Sequence, residues 1–539
     1  MEPGPPPNPN SSLNPGSRCT QGVRLGGSVP RHPPAPPLSR HFPSCDSPST
    51  SDFDSDGDGD GHTSSGGDQQ LPLPHMQQRL VALVLLVAAA SAACASRPAA
   101  SAFVGDVRVA LKHVDAGKQL SRPELIRRAM RRSKARAAAL SAVRSRRGRF
   151  FPGASDPPQQ QAPGATAVRP SGDLEYVVDL AIGTPPQRVS ALLDTGSDLI
   201  WTQCAPCASC VTQPDPVFAP AASASYEPAR CAAPLCSDIP HHGCLRPADT
   251  CTYHYNYGDG TTTLGVYATE PFTFASSSSG GGGDALSLSV PLGFGCGSVN
   301  VGSLNNGSGI VGFGRNPLSL VSQLSIRRFS YCLTPYASGR RSTLLFGSLA
   351  GGVYGDAAGD GPVQTTPLLQ SPQNPTFYYV RLTGISVGGR RLRIPESAFA
   401  LQPDGSGGVI VDSGTALTLL PAAVLAEVVR AFRAQLRLPF ANGSSADDSV
   451  CFAVPAAWRR SASASAQVAV PRMVLHFQGA DLDLPRRNYV LDDHRRGRLC
   501  LLLADSGDDG WTIGNLVQQD MRVLYDLEAE TLSFAPAQC

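Results

Sequence analysis

The sequence is poor in charge, in aromatics and in lysine. Only 16% of its 539 residues are Asp, Glu, Lys or Arg, and 6% are Phe, Trp or Tyr. That composition excludes a long coiled coil, whose flanking heptad positions must be charged. Lysine is confined to Lys112, Lys118 and Lys134, which reads as codon bias more than adaptation to acid. No apolar run reaches the roughly 20 residues of a spanning helix; Leu80 to Ala90 stops well short. The His-Glu-x-x-His pattern of zinc hydrolases is absent. What is plentiful is Gly (54) and Pro (48), which suits many short strands joined by turns. The chain exceeds one ordinary core, so two or more domains are expected, and a peptide hormone or small disulfide toxin is ruled out.

The net charge of +2 conceals an asymmetry. Residues 76–170 hold 17 Lys and Arg against 4 acids, whereas residues 171–539 hold 24 against 31. A basic leader thus precedes an acidic body. Such a body is a poor nucleic-acid partner, because phosphate neutralisation needs a surface rich in Lys and Arg.

Residues 1–75 are rich in Pro, Ser, Gly and Asp and cannot bury enough apolar surface to fold, so they are expected to be disordered. Asp52, Asp54, Asp56 and Gly57 match half of a calcium loop, but Thr63 stands where Glu is required, and no calcium is expected there. From Met76 the text changes: Arg79, the Leu80 to Ala90 run and Ala93-Cys94-Ala95 read as a signal peptide over 76–95. Met76 is therefore favoured as the true start. Residues 96–170 read as a basic propeptide and linker: a strand over Val107 to His113, a helix-like stretch from Pro123 to Arg149, and a cleavable linker from Pro152 to Pro170. A basic segment ahead of an acidic body can lie across its cleft and block it.

From Leu174 the text alternates in the manner of strands, and only Pro421 to Arg437 carries a convincing helical period, on Val424, Leu425, Val428, Phe432 and Leu436. The informative feature is an internal repeat. An apolar strand followed by Asp194-Thr195-Gly196-Ser197 recurs 218 residues later as Asp412-Ser413-Gly414-Thr415. Downstream of each copy comes a second pair, Gly309 to Gly314 and Trp511 to Leu516. Two copies of one plan predict two all-β lobes, over 171–360 and 376–539, joined through the turn-rich segment Gly351 to Pro375.

An Asp that closes an apolar strand and enters a tight Gly turn is partly desolvated and oriented by nearby hydroxyls and backbone N–H groups. Two of them, in duplicated lobes, can meet across a pseudo-twofold axis. Like charges a few Å apart cannot both ionise easily, so the pair shares one proton and offers a base and an acid together. Neither a metal nor an organic cofactor is called for.

These residues, with Trp201, Tyr257-Gly258-Asp259-Gly260 and the Cys204-x-x-Cys207-x-x-Cys210 insert, resemble the pepsin-family aspartic proteases, specifically the plant nepenthesin-like type, over nearly all of 171–539. The resemblance implies a bilobal acid-protease fold with the cleft between the lobes. It implies that Asp194 and Asp412 polarise a water that attacks the scissile carbonyl. Thr195 and Ser413 would brace the two loops, Gly196 and Gly414 would form the turns, and Ser197 and Thr415 would orient the carboxylates. Tyr257 and Gly258 would belong to a substrate-covering flap with Trp201 behind it; Thr261 stands where the plant pattern more often has Ser.

Twelve cysteines fall in the body: Cys204, Cys207, Cys210, Cys231, Cys236, Cys244, Cys251, Cys296, Cys332, Cys451, Cys500 and Cys539. In a secreted chain disulfides outcompete zinc, so six bridges are expected, with pairing open except that the resemblance places several inside the insert. Asn306 and Asn442 are glycosylation candidates. Gly307-x-Gly309-x-x-Gly312 fits a dinucleotide fingerprint by letter but lacks a βαβ setting, and a serine hydrolase is not expected. The expected protein is a monomeric, acid-active endopeptidase made as a secreted zymogen for the apoplast or vacuole. Its partners would be protein or peptide substrates and its own propeptide, without nucleic acid or a stable membrane anchor. The alternative is a catalytically silent pepsin-fold binding protein, such as an inhibitor of cell-wall glycosidases.

Overall fold

The computed structural model describes residues 107–114, 120–130, 133, 136, 175–275, 287–304, 307–336, 338–352, 361–441, 450–456, 468–507 and 510–539. The expected signal peptide, the N-terminal extension, Asn306 and Asn442 lie outside them. All belong to one compact unit, Arg97–Cys539.

The unit is built from strands, as the Gly- and Pro-punctuated alternation predicts. Each half contains the same knot. In the first, Gly309–Gly312 runs parallel to the end of Gln187–Asp194, setting Gly312 opposite Asp194, and pairs antiparallel with Trp201–Gln203. In the second, Trp511–Ile513 runs parallel to Val409–Val411 and antiparallel to Thr418–Leu420. The repeat seen in the sequence is thus a repeat of topology. The helix Ala422–Leu436 follows Pro421 and ends at Arg437 in the left-handed conformation; Val424, Val428 and Phe432 form its buried face.

Between the halves lies a continuous antiparallel run. Arg328–Cys332 pairs with Met521–Asp526, which pairs with Thr531–Pro536, which pairs with Gln364–Leu369. That last strand corrects the expectation that Gly351 to Pro375 is only a turn-rich connection. From Thr366 its residues alternate between buried and half-buried, and Pro367 sits where the strand ends its pairing with Thr531. Phe329 and Tyr525 stack at 4.5 Å across the junction of the halves.

The N-terminal segment is woven into this platform. Arg108–His113 lies between Tyr176–Ile182 and Ser342–Phe346 and pairs with both. The expected helix follows at residues 122–130, with 133 and 136 also helical. Leu125, Ile126, Ala129 and Met130 bury its apolar face in the main core. Basic side chains then find acidic partners, as the charge asymmetry suggests: Lys112 reaches Asp179 at 2.5 Å and Arg127 reaches Asp493 at 3.6 Å.

All twelve body cysteines are paired: Cys204–Cys296, Cys207–Cys210, Cys231–Cys244, Cys236–Cys251, Cys332–Cys539 and Cys451–Cys500.

Candidate active site

Asp194 closes its strand, and Asp412 directly follows Val409–Val411; both side chains are essentially fully buried. Each turn repeats the same wiring. Asp194 Oδ1 accepts the Gly196 N–H at 3.0 Å and Oδ2 accepts the Ser197 hydroxyl at 2.6 Å. Asp412 Oδ1 accepts the Gly414 N–H at 2.8 Å and Oδ2 accepts the Thr415 hydroxyl at 2.6 Å. The glycines are required by proximity: a Cβ on Gly196 would stand 2.8 Å from Asp412 Oδ1, and one on Gly414 would overlap Asp194 Oδ1. Each turn is cut away to admit the other lobe's carboxylate.

The loops brace one another. The Thr195 N–H donates to Ser413 Oγ at 3.1 Å and the Ser413 N–H to Thr195 Oγ1 at 2.9 Å. The Thr195 hydroxyl donates onward to the Val411 carbonyl and the Ser413 hydroxyl to the Leu193 carbonyl. Four reciprocal bonds, all buried, fix the separation of the two strands.

Tyr257 and Gly258 lie in the turn between Thr250–Asn256 and Thr262–Ala275, which pair antiparallel as a hairpin. The Tyr257 hydroxyl accepts the Trp201 indole N–H at 2.7 Å. Burial pushes the Tyr257 phenol far above its ordinary range, so it stays a neutral donor and acceptor.

One residue the sequence reading did not single out occupies the centre. Arg136, from the N-terminal helix, sets its Nη2 2.7 Å from Asp194 Oδ1 and 3.0 Å from Asp412 Oδ2. One turn earlier, the Ser133 hydroxyl accepts the Leu417 N–H at 2.9 Å. The space left beside them, lined by Ser133, Arg136, Glu175, Asp259, Gly414 and Ala416, is about 10 Å³, close to the least volume that holds one water. The larger hollows, each about 410 Å³, lie elsewhere. Nothing in the sequence marked Arg136 among the arginines around it.

Sequence-family models described as xylanase inhibitor N-terminal and xylanase inhibitor C-terminal match residues 176–348 and 377–536. The chain is 42% identical over 435 residues to aspartic proteinase nepenthesin-2 of Nepenthes gracilis, covering 80% of this chain and 90% of that protein. It is 40% identical over 437 residues to nepenthesin-1 of the same plant, with the same coverages. The chain belongs to the nepenthesin-like aspartic proteases. Among solved structures it resembles that of edgp, with a TM-score of 0.52 and 20% identity over 68% of this chain and 92% of that one. It also resembles basic 7S globulin from soybean, with a TM-score of 0.50 and 20% identity over 68% and 93%. At those identities the likeness is one of fold.

The electrostatics of this nepenthesin-like site are set by burial and by Arg136. Burial alone would lower the guanidinium's affinity for its proton, but the Asp194 and Asp412 carboxylates, with Asp259 behind them, outweigh it and raise that affinity. Burial drives both aspartates up. For Asp412 that push wins, with the Asp194 charge adding to it; for Asp194 the Arg136 charge and the Ser197 hydroxyl win, and its carboxyl is held below the ordinary range. The pair is split, one member favouring the proton and the other the charge.

A serine pattern that the sequence reading passed over is Gly384-Ile385-Ser386-Val387-Gly388. Ser386 Oγ lies 2.7 Å from His476 Nε2, and His476 Nδ1 lies 2.7 Å from Asp481. The three residues form a cross-strand polar ladder rather than a nucleophile elbow. Ser386 sits inside the strand Leu382–Val387, paired with Met473–Phe477, not at a strand-to-helix turn that would expose its hydroxyl beside free N–H donors.

Proposed function

We propose that the protein is an acid-active endopeptidase made as a zymogen. The observation that carries the reading is the pairing of two buried, mutually braced aspartates with a single guanidinium from the N-terminal segment. When that segment leaves, the point held by Arg136 Nη2, within hydrogen-bond reach of one oxygen on each aspartate, is where a water sits. The ionised carboxylate takes the water's proton as its oxygen attacks the scissile carbonyl carbon. The protonated partner gives its proton to the carbonyl oxygen; the neutral gem-diol then collapses as the aspartate that took the water's proton passes it to the amine nitrogen, the C–N bond breaks, and the other aspartate takes a hydroxyl proton, restoring the one-proton pair. Thr195 and Ser413 hold the two carboxylates at working separation, and the Tyr257 hairpin covers the substrate.

Two features support the zymogen reading: the N-terminal helix reaches the dyad through Arg136, and it is held there by charge. Because Arg136 depresses the Asp194 carboxyl, that contact is at full strength above the ordinary Asp value, about 3.9, and is lost as pH falls through the depressed one. Acid therefore loosens the block from the dyad outward, and cleavage between Arg136 and Glu175 makes release permanent. The same chemistry suits an acidic apoplast or vacuole, a secreted route and a monomer.

The test is cleavage of a denatured protein by the full-length chain between pH 2 and 7, with Asp194→Asn and pepstatin as controls. Acid-dependent cleavage abolished by both is the expected result. A folded body, freed of its N-terminal segment, that cleaves nothing at any pH would favour the silent binding protein instead.

A further inference from the structure

The two catalytic turns differ in charge at one buried position. Four residues beyond Asp194 stands Asp198, 4% exposed; the matching place after Asp412 is Ala416, also 4% exposed. Asp198 Oδ1 accepts the Asn316 N–H at 3.0 Å, and Oδ2 accepts the Asn316 side-chain amide at 2.9 Å and the Thr376 hydroxyl at 2.7 Å. Thr376 Oγ1 in turn accepts from the same Asn316 amide at 2.8 Å, which commits the threonine's own proton to Asp198. Three donors converge on a group that has no hydrogen to offer when ionised, so the wiring is drawn for the carboxylate.

This cluster touches both lobes. Thr376 opens the second, just ahead of its first strand, while Asn316 follows the loop that packs on the Asp194 turn. In that loop the Phe313 N–H donates to the Asp194 carbonyl and the Gly314 N–H to the Ser197 carbonyl, each at 2.8 Å. A Cβ on Gly314 would overlap Asp198 Oδ1, so the loop is wrapped closely around the carboxylate. The charged group that acts on it is Asp194; the Tyr378 phenol senses its charge, and Arg315 lies over the Tyr378 ring. Arg315 directs its guanidinium to Glu530 at 2.7 Å, and Tyr378 donates to the Phe313 carbonyl. The buried charge is thus carried by hydrogen bonds, with another carboxylate as its charged neighbour.

We propose that Asp198 is a positioning residue of the catalytic centre: it ties the Asp194 turn to the entry of the second lobe, and its negative charge helps the aspartate pair keep its shared proton as pH rises. The proposal rests on the two-aspartate reading above. An anion beside Asp194 makes loss of the shared proton harder, so it moves the alkaline limit of activity upward. Burial outweighs the hydrogen bonds from Thr376 and Asn316 and, with a smaller push from Asp194, raises the Asp198 carboxyl above its ordinary range. At the acid end it is therefore protonated and leaves the acidic limit alone.

The test compares wild type with Asp198→Asn, which keeps the shape and removes the charge. Full-length protein is activated in acid, and initial rates on a short peptide are followed from pH 2.5 to 7.5. The expected result is an alkaline limit lower by roughly half a pH unit or more, an unmoved acidic limit, and a kcat/KM ratio that departs from wild type most at high pH. A loss of equal size at every pH would overturn the proposal and leave Asp198 a structural residue only. Thermal unfolding of the unprocessed chains gives a reading independent of catalysis. A raised carboxyl contributes stability below the ordinary Asp value and loses it as pH rises through the raised one, so Asp198→Asn must gain on wild type between pH 3 and 7. A pH-independent gap in unfolding temperature would overturn the buried charge even if the wild type cleaved nothing.

Discussion

The Asp194 turn and the Asp412 turn share one backbone plan and do not share one task. Both follow an apolar strand, both receive a turn N–H and a hydroxyl on their carboxylate, and each supplies one hydroxyl to the brace across the lobes. Beyond that they part. The first continues into Asp198 and a polar tie to Thr376, whereas the second continues into Ala416 and Leu417, whose N–H receives the N-terminal helix through Ser133. Duplication supplies a symmetric centre for the pair; divergence gives one turn to lobe fixation and leaves the other open to whatever lies in the cleft.

If the carboxylates are equal partners, removing either should do equal harm. Asp194→Asn and Asp412→Asn should each lower kcat/KM by about 10⁴-fold, the upper end for a general acid–base group. A tenfold difference between them in an acid proteolysis assay would show that the symmetry fails in the chemistry. The next contrast lies in the bridges. Cys332–Cys539 closes 207 residues and fastens the end of the chain to the inter-lobe platform, whereas Cys207–Cys210 closes only 3. Chain entropy predicts that losing the first costs about 5 kcal/mol and losing the second about 1.6, to be read from denaturant unfolding of the Cys→Ser variants. Equal losses would remove loop closure as the explanation.

The brace gives a smaller effect. Ser413→Ala removes an acceptor from the Thr195 N–H and a donor from the Leu193 carbonyl, both buried, at about 1–3 kcal/mol. Thr195→Ala does the same from the other side, and the double variant should cost less than the sum of the two, because the bonds belong to one network. Smallest is Trp201→Phe, which takes away the indole N–H given to Tyr257 and should cost about 1 kcal/mol in stability, with a rise in KM if the hairpin loosens.

The dyad and its brace were legible because duplication writes them twice; a single Asp-Thr-Gly would have been one turn among many. Tyr257 was legible through the Gly-rich tip of its hairpin, and Trp201 through the family resemblance alone. The disulfide partners were not, since pairing depends on which strands come to lie together. Arg136 was hidden for a different reason. It stands among Arg127, Arg128, Arg131 and Arg132, and only the docking of Leu125, Ile126, Ala129 and Met130 into the core decides which arginine reaches the aspartates. The strand Arg108–His113 was readable as a strand, but not as an interior member of the platform, because alternation looks alike at an edge and in the middle. Gln364–Leu369 was missed because Pro367 and the Gly-, Asp- and Pro-rich text before it argue for a turn.

The account stands on Arg136 as the group that keeps the aspartates silent. The most direct measurement is peptide cleavage by full-length Arg136→Ala between pH 4 and 6, where the wild-type contact should still hold, with Asp194→Asn/Arg136→Ala as the blank and gel analysis to confirm that the chain is intact. The account predicts cleavage by the unprocessed single variant at a pH where wild type is silent, and none by the double variant. An intact Arg136→Ala chain that stays as inactive as wild type until it is cut would contradict it.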